Sequence, residues 1–145
     1  MGPRSEHTAL VERIKAREGW RGMPYYDTLG NKTIGYGTLL PLTKAEGEML
    51  LRHRLGLVEN ELRERLAFFD ELPETIRDVL LDMAYNMGVP RLMRFKKTLA
   101  AAERGDWATM AEEMTDSRWY RQVGRRAEEL VAAVRGMEDG ASAIC

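Results

Sequence analysis

Apolar residues recur at helical intervals along most of the chain, with one interruption. Leu10, Val11 and Ile14 follow a polar start at Ser5 to Thr8 and predict a first helix. That helix should end at Gly19, since glycine suits the position just past a helix. From Pro24 to Thr38 the helical period is lost. Lys32 to Tyr36 has β character, and Gly30-Asn31 between two such runs signals a hairpin. Leu39 to Leu42 is a short connector. Thr43-Lys44-Ala45-Glu46 then reads as a capping box. Leu51, Leu55, Val58, Leu62 and Leu66 keep one stripe along the helix it opens. Running roughly 25 residues at ~1.5 Å each, past Gly47 and Gly56, this helix would be a spine of about 35 Å joining two lobes.

Further on, Pro73 starts a helix whose buried face is Ile76, Val79, Leu80, Met83, Ala84 and Met87, stopped by Gly88 and Pro90. Leu92, Phe95, Leu99 and Ala102 predict one more helix, ended by Gly105. Asp106 caps Trp107 to Met114, and Ser117 starts a short turn through Trp119 and Tyr120. Arg125 to Val134 is the last helix, with Ala127, Leu130, Val131 and Val134 inward, and Gly136 onward reads as a frayed tail. The fold class is mainly α with a small β-hairpin sheet. A chain of 145 residues suits a single domain. Its N-terminal lobe is expected at about 15–45, the linking helix at about 43–67 and a helical C-terminal lobe at about 72–136.

Composition narrows the functional classes. The formal net charge of -1 provides no global field for nucleic acid or a membrane surface. No apolar run approaches the ~20 residues of a membrane helix, and Met1 to Leu10, with Arg4, Glu6 and His7, is neither a signal peptide nor a signal anchor. The one cysteine, Cys145, has no internal partner. His7 and His53 lack a third ligand at useful spacing, so neither a metal nor a cofactor is expected. The reading is a monomer.

The chemistry gathers between Glu18 and Thr38. Glu18 precedes the predicted helix end, Asp27 follows nine residues later, and Thr33 lies in the β run. Two carboxylates are what cleavage of a glycosidic bond requires: an acid for the leaving oxygen, and a base or nucleophile opposite. The glycines of Thr33-Ile34-Gly35-Tyr36-Gly37 also suit a tight strand with close backbone approach.

Glu18-Gly19, then Tyr26 and Thr33-Ile34-Gly35-Tyr36-Gly37 with Asp27 between, resembles the pattern of phage-type lysozymes, the endolysin muramidases. Two further blocks resemble the same family in the same order: Asp82-Met83-Ala84-Tyr85-Asn86-Met87-Gly88, and Ser117-Arg118-Trp119-Tyr120 with Gln122, Arg126 and Ala127. The likeness spans about Ile14 to Arg135. It implies a two-lobed lysozyme-like fold that hydrolyses the β-1,4 bond between N-acetylmuramic acid and N-acetylglucosamine of peptidoglycan. It implies Glu18 as general acid, Asp27 as the residue that holds or deprotonates the attacking water, and Thr33 as its positioner. Arg126 would pair with the catalytic glutamate across the lobes, and Tyr26 and Asn86 would support the substrate cleft. Trp119, at helical spacing, reads as core. The implied biological role is host lysis, with the enzyme held in the bacterial cytoplasm until a pore releases it to the wall.

Two features depart from the family. Thr38 stands where many members carry a histidine, which removes a possible histidine–carboxylate pair. The link from Thr38 to the spine helix is also short, so the N-terminal lobe is small. The alternatives are a peptidoglycan-binding or virion module without activity, against which the intact Glu18, Asp27 and Thr33 argue, and a lytic transglycosylase, against which Asp27 argues. Arg91, Arg94, Lys96, Lys97, Arg118, Arg121, Arg125 and Arg126 read first as solvated surface charge, and second as a weak attraction for anionic wall polymer or outer-membrane phosphate.

Overall fold

A computed structural model describes residues 7–144, with side-chain surroundings for residues 7–138. The chain divides into two compact units, Met1–Leu50 and Leu51–Cys145.

The first unit begins with α1 (Thr8–Glu18), closed by Gly19 at φ 72°, whose N–H reaches back to the Lys15 carbonyl. Leu10, Val11 and Ile14 form the expected stripe, yet no residue of α1 is buried. A three-stranded antiparallel sheet follows in the order β1 (Arg21–Tyr26), β2 (Lys32–Gly35), β3 (Thr38–Leu39). The expected hairpin is thus extended by a third strand, which spans the last residue of the hairpin region, Thr38, and the first of the stretch read as a connector, Leu39. β1 pairs through Arg21↔Gly35 and Tyr25↔Thr33, so four steps on β1 match two on β2. The surplus is absorbed at Gly22-Met23-Pro24, on an edge strand, where a residue without an N–H is tolerated.

The capping box is present at the start of α2 (Lys44–Arg65). Thr43 N–H donates to Glu46 Oε1 at 2.8 Å, and Glu46 N–H donates to Thr43 Oγ1 at 3.1 Å. Hydrogen bonding from Thr43 to the carboxylate, by its amide first and its side chain second, holds the Glu46 carboxyl below its ordinary range. The boundary between the units falls inside α2. Its apolar stripe is exposed at Leu51 and becomes fully buried only at Leu62.

In the second unit, Leu66 and Phe69 turn the chain through a 3-10 turn (Phe69–Glu71) into α3 (Glu74–Met87). Ile76, Val79, Leu80, Met83 and Ala84 are buried, as their spacing predicts. α3 packs against α4 (Val89–Leu92) and α8 (Arg125–Ile144), while α6 (Trp107–Thr115) packs against α5 (Lys96–Glu103) and α8. The single helix expected through Leu92 and Ala102 is two helices. Arg94 N–H bonds to the Arg91 carbonyl and Phe95 N–H to the Leu92 carbonyl, three residues back, which tightens and ends α4 before α5 begins. Asp106 caps α6 by accepting from Thr109 N–H at 3.2 Å. Hydrogen bonds from Thr109 hold the Asp106 carboxyl below its ordinary range. Ser117 caps α7 (Arg118–Val123), a short helix where a turn was expected. The last helix does not stop at Val134 but runs through Gly136 to Ile144. A glycine weakens a helix interior by only about 1 kcal/mol, which does not end it. Cys145 lies outside the described residues.

Candidate active site

Glu18 is the last residue of α1, and its exposed side chain reaches the β2–β3 turn. Gly37 there has φ 80°, and a Cβ added to it would stand 2.9 Å from Glu18 Cδ and Oε2. The carboxyl therefore lies directly on the glycine backbone, in space that another side chain would fill. The end of the helix is thereby folded back onto the hairpin.

Asp27 stands at the other end of β2, in the β1–β2 turn. Its Oδ1 accepts N–H bonds from Leu29 at 3.0 Å and Asn31 at 2.8 Å. The backbone closes the same turn through Asp27 N–H to the Asn31 carbonyl and Gly30 N–H to the Asp27 carbonyl. Oδ1 thus organises the turn, and Oδ2 makes no bond to a described residue. Thr33 is buried in the central strand, and its hydroxyl donates to the Asn31 carbonyl at 2.8 Å. With its proton committed, Thr33 Oγ1 can only accept from a further partner. Asp27 and Thr33 are tied to one turn through Asn31.

An aromatic pair adjoins Glu18 and was not singled out from the sequence. Trp20 packs against Tyr36 in a tilted arrangement, with centroids 5.1 Å apart and planes at 53°, and Lys15 Nζ sits 5.4 Å from the Tyr36 centroid. The indole also packs on Gly22 of β1 and on Gly35 of β2, the partner of Arg21. The available signal was a tryptophan two residues after the acid, with glycines where the facing side chains would be. Trp20 is nevertheless 66% exposed. Tyr26, at the end of β1, is exposed as well.

The remaining sequence candidates belong to the second unit. Trp119 is buried against Phe95, and its indole N–H donates to Asn86 Oδ1 at 3.1 Å. It is core, as its spacing suggested, and Asn86 serves as its acceptor. Arg126 Nε donates to Asp82 Oδ1 at 2.6 Å, with a second bond from the guanidinium to the same oxygen. Asp82, 44 positions away, was not foreseen as this partner. Among the described residues no group of three His, Cys, Asp or Glu could hold a metal, and no helix is long and apolar enough to cross a membrane.

Structurally the chain is a mainly helical protein with a three-stranded sheet that bears Thr33 in its central strand and Asp27 in its first turn, and against which the carboxyl of Glu18 rests from the end of α1. The family model for phage lysozyme matches residues 15–136, and the chain belongs to the phage lysozyme family. Among curated proteins it is similar to "Probable T4-type lysozyme 1" of Dictyostelium discoideum, at 22% identity over 88% of this chain and 94% of that protein. "Probable T4-type lysozyme 2" of the same organism is 24% identical over 86% of this chain and 92% of its own length. "Pre-baseplate central spike protein Gp5" of Enterobacteria phage T4 is 24% identical over 87% of this chain, which corresponds to 27% of that protein.

Proposed function

We propose that this protein is a muramidase, an endolysin that hydrolyses the β-1,4 bond between N-acetylmuramic acid and N-acetylglucosamine with inversion. The observation that carries the reading is the sheet itself, which anchors all three expected residues: Glu18 on Gly37, Asp27 and Thr33 on Asn31. In this reading Glu18 protonates the leaving oxygen. A water donates one hydrogen to Asp27 Oδ2 and the other to Thr33 Oγ1, so its lone pair is left facing the sugar. Asp27 then takes the proton as the bond to carbon forms.

Inversion is supported by the anchors. The four residues of β2, at roughly 3.3 Å each, separate the turn holding Asp27 from the turn holding Glu18. Anchors about 13 Å apart argue against the ~5–5.5 Å of a covalent mechanism, and side chains reaching inward from them favour the wider ~6.5–9.5 Å spacing that admits a water. Trp20 and Tyr36 offer an aromatic surface for a sugar ring beside the acid, and the supporting roles of Tyr26, Asn86 and Arg126 belong to the same proposal. So do a monomeric state and release from the host cytoplasm to the wall.

Proton NMR of a fresh peptidoglycan digest, read before mutarotation, tests the mechanism. An α-anomer at the new reducing end is expected. A β-anomer would make Asp27 a nucleophile, and a 1,6-anhydro end would exclude water as acceptor. A second reading, a virion module, is favoured by the similarity to a central spike protein. Absence of any new reducing end, with permeabilised cells left turbid, would select that reading.

Gly37→Ala provides an independent check on the Glu18 anchor. A side chain at φ 80° is strained by about 1–2 kcal/mol. Its Cβ also displaces the carboxyl, and a 1 Å misplacement can cost ~10²-fold in rate. The expected result is a folded protein with a slightly lower melting temperature and about a hundredfold slower lysis. Parental activity would show that the glutamate does not work from this position.

A further inference from the structure

The helical unit contains a cavity of about 790 Å³ lined in part by Lys96, Lys97 and Thr98, the first turn of α5. The amides of these three residues have no acceptor within the helix, because α5 begins at Lys96, and no described backbone carbonyl takes them from outside. Phe95 occupies the cap position and has no side-chain acceptor. α6 and α7 are capped by Asp106 and Ser117, whereas α5 opens with two lysines and no acid. Cations there oppose the helix dipole, which favours an anion at this end.

Thr98 gives a second, independent indication. It is 2% exposed and lines the cavity, yet its hydroxyl bonds to no described residue. No enclosed side-chain polar atom among the described residues lacks a partner, so this hydroxyl opens into the cavity. Arg91, Arg94 and Arg118 bring the cations of the lining to five, against the carboxylates of Glu113 and Asp116. None of these seven groups makes an ion pair with a described residue. Arg63, Arg65, Arg104 and Arg126 are all paired.

We infer that this cavity is a binding site for a phosphate group, presented to the amides of Lys96–Thr98 and the hydroxyl of Thr98. The excess of three cations matches the charge of roughly −1.5 to −2 on a phosphate monoester better than the single charge of a carboxylate. The ester could be borne by a lipid headgroup or by a polymer, or the ligand could be free phosphate; the recognition chemistry is shared.

The test is titration of the full chain with inorganic phosphate, and separately with acetate, by calorimetry and amide NMR. Saturable phosphate binding that shifts the amides of Lys96, Lys97 and Thr98 is expected, with acetate at least about tenfold weaker. Lys96→Gln with Lys97→Gln should weaken phosphate binding about tenfold, equivalent to ~1.4 kcal/mol, and Thr98→Val should weaken it as well. Should the buried Thr98→Val fail to fold, the exposed lysine pair carries the test. Vesicles of phosphatidylcholine with and without phosphatidic acid separate the sources. Sedimentation with phosphatidic acid, released by phosphate, points to a lipid headgroup; phosphate binding without sedimentation points to a soluble or polymer-borne ester. Absence of saturation, acetate binding as tight as phosphate, or unchanged affinity in the lysine variant would overturn the inference.

Discussion

Glu18→Gln is expected to fold with a melting temperature close to the parent's and to lyse permeabilised cells about 10²–10⁴-fold more slowly. Glu18 is exposed and makes no ion pair with a described residue; it rests on the backbone of Gly37. The amide has the same shape and keeps that contact, so the fold has little to lose. It cannot supply a proton to the leaving oxygen, which is the step the proposed reaction assigns to this position. Asp27 and Thr33 remain on their turn and still orient the water, which accounts for the residual rate. Paired measurements of turbidity and circular dichroism check both halves of the expectation. Activity within about threefold of the parent in a folded variant would remove Glu18 from the acid role.

Phe69→Ala is expected to destabilise the helical unit by about 3–5 kcal/mol, the usual cost of truncating a fully buried phenyl ring. Phe69 is 0% exposed, in the 3-10 turn that leads α2 into α3. It belongs to the cluster that includes Leu62, Ile76, Leu80, Met110 and Met114, all equally sealed. A turn held by short i→i+3 bonds cannot easily move inward to refill the space, so a cavity should persist. For a unit near 100 residues each kcal/mol lowers the melting temperature by roughly 4–8 °C. A drop of more than about ten degrees by calorimetry is therefore expected. A shift under about two degrees would show that the ring is not packed as described.

Phe69 also illustrates where the sequence stops being informative. It lies three residues past Leu66, in step with the stripe of α2, but beyond the helix end expected at about residue 67, so the period was not carried on to it. The face of α3 was legible, because Ile76, Val79, Leu80, Met83 and Ala84 repeat at three and four and a helix must place them on one side. The Thr43–Glu46 box and the caps at Asp106 and Ser117 were legible for a related reason: each closes a hydrogen bond within three residues. The break between α4 and α5 was not, since the apolar spacing from Leu92 to Ala102 is compatible with one continuous helix. At the candidate site, the residue types and spacings of Glu18, Asp27 and Thr33 could be read directly, together with the family they resemble.

By itself, then, the sequence determined the helix faces, the caps, the mainly helical class and the family, all of which rest on interactions within one or two turns or on residue order. The tertiary structure decided the rest. It added Thr38–Leu39 as a third strand, a pairing too short to have a period of its own. It brought Gly37 against Glu18, Trp20 onto Gly35, and Asp82 to Arg126. Each of these contacts closes a loop between segments, and which partner is met depends on how the intervening chain folds and packs, not on the residues flanking either end.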